Sequence, residues 1–243
     1  MQPELKPVRT DNSGFGHGMR RDAAAGAGIA PEAQKVMRST YLLLAVTMIP
    51  TVIGAMVGMA TSGVIVQSPI FSTILMLGAV IGLQFAIAKN RNSGLGIALL
   101  LLMTGILGWW LGPILNIALS MKNGMQLVGY AAVGTGVIFF AMGAIAATTK
   151  RDFSFMGKFL FVGMIALLIA MFANMFLQIP ALALTISTLV IVVFSLFLLY
   201  DLNRIVRGGE TNYIMATTGV YMSLFNIFAN LLYLLMALTG QRD

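Results

Sequence analysis

Residues 181–200 read ALALTISTLVIVVFSLFLLY, twenty positions without a charge, and they run directly into Asp201-Leu202-Asn203-Arg204. A half-exposed soluble helix would show a polar stripe, and a strand of a membrane barrel would alternate over about ten residues. This stretch does neither. Its length matches the roughly 20 helical residues that cross a hydrocarbon core of about 30 Å. Working outward, comparable runs occupy 41–62, 70–88, 94–118, 125–147, 158–178 and 212–238, and the opening stretch extends to 181–203. Charges, Gly, Pro or Asn bound each run, and Pro180 suits the first turn of the sixth helix. The expected fold is an all-α integral membrane protein with seven transmembrane helices.

Composition agrees. Of 243 residues, 58% are hydrophobic and 9% charged, whereas a soluble domain carries about 25% charged residues. There is no cysteine, hence no disulfide frame, thiol nucleophile or thiolate metal site. The one histidine, His17, lies in the polar N-terminal region. A zinc metalloprotease needs two helical histidines, and a rhomboid-type protease needs a general base at membrane depth. An aspartyl intramembrane protease needs two carboxylates there, and the spans offer only Asp201. No catalytic residue, metal site or cofactor is expected. The eighteen methionines have no His or Cys companions and read as packing and lipid-facing residues.

Residues 1–38 form a separate region of mixed charge with the small-residue stretch Ala23-Ala24-Ala25-Gly26-Ala27-Gly28. Such a composition cannot build a core, so a mobile tail is expected ahead of a membrane domain at 39–243. With the tail in the cytoplasm, thirteen Lys/Arg fall on that side and two, Lys122 and Arg242, on the other. This bias gives a cytoplasmic N-terminus and a C-terminus on the opposite side. The net charge of +7 is then a topology signal with some attraction to anionic lipid, and no nucleic-acid partner is implied.

Lipid gives helices no hydrophobic reason to associate, so small residues must let them approach. Gly54 and Gly58, Gly78 and Gly82, and Gly108 and Gly112 all have the Gly-x-x-x-Gly spacing. The first two pairs read as helix contacts. The third, within Gly108-Trp109-Trp110-Leu111-Gly112-Pro113, reads as an interfacial belt or a helix break. In the last run Gly219, Ser223, Asn226, Asn230 and Tyr233 recur at steps of four and three, on one helix face. Amides facing lipid would be unsatisfied, so this face points into protein or a wet cavity and the last helix takes a central position. It reads as a hydrogen-bonded packing seam or, second, as the lining of a permeation path.

Asp201 is a candidate functional residue because it is a carboxylate within a span. Its two readings are an interfacial ion pair with Arg204 or Arg207, and a proton-sensing group. The segment Thr148–Lys158, with Lys150, Arg151 and Phe153, mixes cations with aromatics and is a candidate partner-docking surface. Gly208-Gly209 permits a tight turn, with Thr211 a candidate cap for the next helix.

Several segments together resemble the Bax inhibitor-1 family, and within it the bacterial YccA branch. They are Arg38-Ser39-Thr40-Tyr41, Gly112-Pro113-Ile114-Leu115-Asn116, Lys150-Arg151-Asp152-Phe153-Ser154-Phe155, Ala173–Leu182, Gly208–Ile214 and Tyr221–Phe228. The resemblance implies a last helix surrounded by the other six. It implies two functions. The YccA branch is associated with the AAA+ membrane protease FtsH, which takes hold of the N-terminal tail and is itself modulated. On that implication the chain is a non-enzymatic inner-membrane protein that partners FtsH. Other family members resemble pH-sensitive calcium leak channels closed by two aspartates between the last two helices. Asp201 matches the first; the second falls on Ser223, which carries no charge. A lone carboxylate lacks the repulsion through which a pair shares a proton.

Overall fold

The computed structural model of the chain describes residues 30–149 and 151–239. The tail up to residue 29, with His17, lies outside the described residues, as do Lys150 and Arg242. Among the described residues there is no strand. The helices are α1 (Pro31–Ala60), α2 (Ser62–Gln67), α3 (Pro69–Lys89), α4 (Gly94–Trp110), α5 (Gly112–Ser120), α6 (Gly124–Thr148), α7 (Met156–Leu177), α8 (Pro180–Val206) and α9 (Tyr213–Thr239). With α4 and α5 taken as one broken span, seven helices among the described residues are long and apolar enough to cross a membrane.

Two boundaries differ from the reading of the apolar runs. The helix of the first apolar run begins at Pro31, so residues 31–38, assigned to the tail, are helical. Ala33 is buried, and Val36 and Met37 pack on the main core, which explains why the helix continues below the apolar run. The third span breaks at Leu111 because Pro113 in the first turn of α5 has no N–H to continue the ladder.

Backbone contact through glycine joins α1 to the third span. A Cβ added at Gly54 would overlap the Gly105 carbonyl, and one at Gly58 the Trp109 carbonyl. Gly108 meets the Thr51 carbonyl in the same way, and Gly112 meets the backbone of Gly58. The pair at 108 and 112, expected to mark a belt or break, is therefore also a packing pair. Gly78 and Gly82 correct the opposite expectation: nothing lies within 4 Å of a Cβ at either position. On α3 these glycines face outward and make no contact within the bundle.

Polar ties close both ends. At one end Trp109 Nε1 donates to Thr61 Oγ1 at 2.7 Å, and Asn116 Nδ2 donates to the Met59 carbonyl and to Ser62 Oγ. At the other end Asn212 Nδ2 donates to the Arg91 carbonyl and to Asn92 Oδ1, both at 2.8 Å. This second end carries Lys89, Arg91, Arg151, Lys158, Arg204 and Arg207 and is called the basic end below. The last helix packs on α8, α6, α1 and α4 and more lightly on α3 and α5, whereas α7 packs chiefly on α8. No residue from Asn212 to Ala237 is exposed.

Candidate functional site at the basic end

The last two turns of α8 carry Tyr200, Asp201, Asn203 and Arg204, Arg207 follows at the C-cap, and each does something different. Asp201 is half-buried, with its carboxylate against Gly219 of α9; a Cβ there would stand 2.6 Å from Asp201 Oδ2. Among the described residues it accepts no hydrogen bond and enters no ion pair. The expected partner Arg204 is engaged elsewhere: its guanidinium donates to Glu210 Oε2 at 3.2 Å and lies over the Tyr200 ring at 5.5 Å. The physical reason is the turn after α8. Gly208, at φ +72°, lets the chain reverse, with Gly209 N–H donating to the Arg204 carbonyl and Gly208 N–H to that of Ile205. This is a Schellman ending, and it swings Glu210 back to Arg204.

Glu210 Oε1 also accepts from Asn212 N–H at 3.0 Å. Asn212, and not Thr211, caps α9: its Oδ1 accepts from the N–H groups of Ile214 and Met215 at 3.1 Å. One asparagine thus starts the last helix and holds the loop between α3 and α4. The cap residue was misplaced by one position because Thr and Asn are both good caps and the sequence alone does not choose between them.

Asn203, to which the sequence assigns no role, organises the loop between α6 and α7. It is 1% exposed, its Oδ1 accepts from Phe153 N–H at 3.2 Å, and its Nδ2 donates to the Arg151 carbonyl at 3.3 Å. The available signal was an amide within an apolar run, which needs partners. The Phe153 ring packs against the main core, so it is not a free docking group. Arg151 is exposed. Asp152 is fully exposed, and hydrogen bonds from the side chain and backbone of Ser154 hold its carboxyl below its ordinary 3.8, with nearby Arg207 assisting.

Farther along α9, Ser223 is 2% exposed, and Asn226 and Asn230 are half-buried. Asn226 Nδ2 donates to the Met222 carbonyl and Asn230 Nδ2 to the Asn226 carbonyl, each at 2.8 Å, so each amide N–H turns back on its own helix. A second polar group escaped sequence reading. Buried Tyr221 places its hydroxyl 2.8 Å from Thr51 Oγ1 and 3.3 Å from the Thr104 carbonyl, tying α9 to α1 and α4.

Among the described residues no cluster of His, Cys, Asp or Glu could hold a metal ion. The family model described as inhibitor of apoptosis-promoting Bax1 matches residues 33–241. The chain is 42% identical to a protein of Escherichia coli K12 named modulator of FtsH protease YccA, over 83% of this chain and 89% of that one. It is 41% identical to an uncharacterized membrane protein of Vibrio cholerae, over 84% and 90% of the two chains. An uncharacterized protein of Neisseria meningitidis is 37% identical over 85% of this chain and 92% of its own. A family match across nearly the whole described bundle, with relatives this similar over most of their length, shows that the chain belongs to the Bax inhibitor-1 family.

Proposed function

We propose that this chain is a non-enzymatic, multi-pass protein of the bacterial inner membrane that binds FtsH and modulates it. The observation that carries this reading is the similarity to the Escherichia coli modulator, which extends over 89% of that protein. The concentration of cations at the basic end supports a cytoplasmic placement of that end and of the N-terminus, with the C-terminus opposite. FtsH would engage the segment ahead of α1. The start of α1 is packed down at Ala33, which leaves residues 1–29 as the part to be grasped.

The test is deletion of residues 1–29 from a C-terminally tagged chain. Turnover by FtsH is expected to cease while the bundle still inserts. Unchanged turnover, or no recovery of FtsH with the full chain from mild detergent, overturns the reading. A second reading, a pH-sensitive cation leak, is favoured by the position of Asp201 at the α8–α9 contact without a hydrogen-bond donor. It requires cation flux in liposomes that varies with pH and changes in Asp201→Asn; flat flux in both proteins removes it.

A further inference from the structure

The segment from Arg151 to Phe159 is fastened from beneath and presents a mixed face outward. Asn203 grips its backbone at Arg151 and Phe153, and the partly buried Phe153 ring packs against the core. Gly157 admits the Tyr200 ring: a Cβ there would lie 2.8 Å from the Tyr200 hydroxyl. Outside remain Phe155 and Phe159, one helical turn apart and 76% and 77% exposed. Arg151 and Lys158 of the same segment are exposed, as is Arg207, whose charge reaches Asp152, the carboxylate this segment carries.

These two sets of groups need different surroundings. Phenyl rings left in water forgo a large apolar gain, and cations left in hydrocarbon are expensive. A boundary with hydrocarbon on one side and negative charge on the other satisfies both. An acidic protein segment would match the cations and leave the rings unmatched. We propose that this face binds an anionic phospholipid, with Arg151, Lys158 and Arg207 around the phosphate and Phe155 and Phe159 against the acyl chains. The proposal is independent of any contact with FtsH.

The full chain is reconstituted in nanodiscs of phosphatidylglycerol and phosphatidylcholine, with Phe155→Trp as reporter and one lipid or the other brominated. Trp109 and Trp110 lie at the far end of α4, and their signal, measured in the parent chain, is subtracted. Quenching by brominated phosphatidylglycerol should exceed that by brominated phosphatidylcholine at equal mole fraction. The preference should fall by up to about fivefold for each of Arg151, Lys158 and Arg207 changed to Gln. Removing three cations elsewhere at the basic end, in Lys35→Gln, Arg38→Gln and Arg91→Gln, should leave it unchanged. Equal quenching of the Phe155→Trp reporter by the two lipids overturns the proposal, as does an equal loss in the second set of variants. So does displacement of the preference by a soluble acidic peptide. Spin-labelled lipid selectivity on the unsubstituted chain gives the same ratio without a reporter, and must show the same preference.

Discussion

The carboxylate of Asp201 on α8 occupies the space that a side chain would fill at Gly219 on α9. Placing a methyl group there sets two effects against each other. Overpacking costs about 1–3 kcal/mol, while Ala gains up to about 1 kcal/mol over Gly within a helix. Gly219→Ala is therefore expected to destabilise the chain by up to about 2 kcal/mol. In an Asp201→Ala background the same change should be neutral or stabilising. Denaturant unfolding in detergent, arranged as a double-mutant cycle, checks this; a coupling near zero would show that the two residues do not compete for one space.

The same reasoning separates glycines of identical spacing. Gly58→Ala drives a methyl group into the Trp109 carbonyl, a backbone atom that cannot rotate away. Loss of the native fold or of several degrees in melting temperature is expected. Gly78→Ala and Gly82→Ala meet nothing within 4 Å and should be neutral, or stabilising by up to about 1 kcal/mol each. Parallel thermal melts of the three variants decide it, and equal losses in all three would refute the packing described for α1.

Tyr221→Phe keeps the ring and removes the hydroxyl bound between Thr51 Oγ1 and the Thr104 carbonyl. The expected loss is about 1–2 kcal/mol. Thr51 retains its bond to the Thr47 carbonyl at 2.7 Å, so the variant should fold. Unfolding curves that superimpose on those of the parent would remove Tyr221 as a tie between α9 and its neighbours.

A carboxyl with a lowered pKa in the folded state stabilises that state above its unfolded value and ceases to do so as pH falls through the folded one. Asp152 is such a group. The loop bond between Asp152 and Ser154 should survive acidification to pH 3.8 and open only below it. Carbon-detected NMR titration of Asp152 should give a midpoint under 3.8, moving up toward that value in Ser154→Ala. A midpoint at or above 3.8 in the parent would contradict the loop geometry.

The spans were legible because hydrocarbon thickness imposes a length that composition displays directly. Spacing was less informative. Gly54 with Gly58 and Gly78 with Gly82 look alike along the chain, and only the path of the neighbouring helix makes the first pair a contact and leaves the second outside. Arg204 was read against Asp201 because three residues along a helix share a face. Its actual partner Glu210 is reached through a turn, and turns bring together residues that helical periodicity does not relate. Asn203 sits between Asp201 and Arg204, and nothing in its local sequence shows that its partners lie in the loop between α6 and α7. Tyr221 looked like one more aromatic of the core, since nothing local marks a hydroxyl that meets Thr51 from 170 residues away.

The glycine seam between α1 and the third span has a consequence for how the protein is made. The surface of α1 around Gly54 and Gly58 is shaped for Gly105, Trp109 and Gly112 and for nothing nearer in the chain. The helix α1 leaves the ribosome ahead of these partners and must therefore wait, unpaired along that surface, while α2, α3 and most of α4 are synthesised. During that interval a bare backbone stripe is open to any other helix with small residues. That interval closes only when Gly105 and Trp109 of α4 and Gly112 of α5 have arrived.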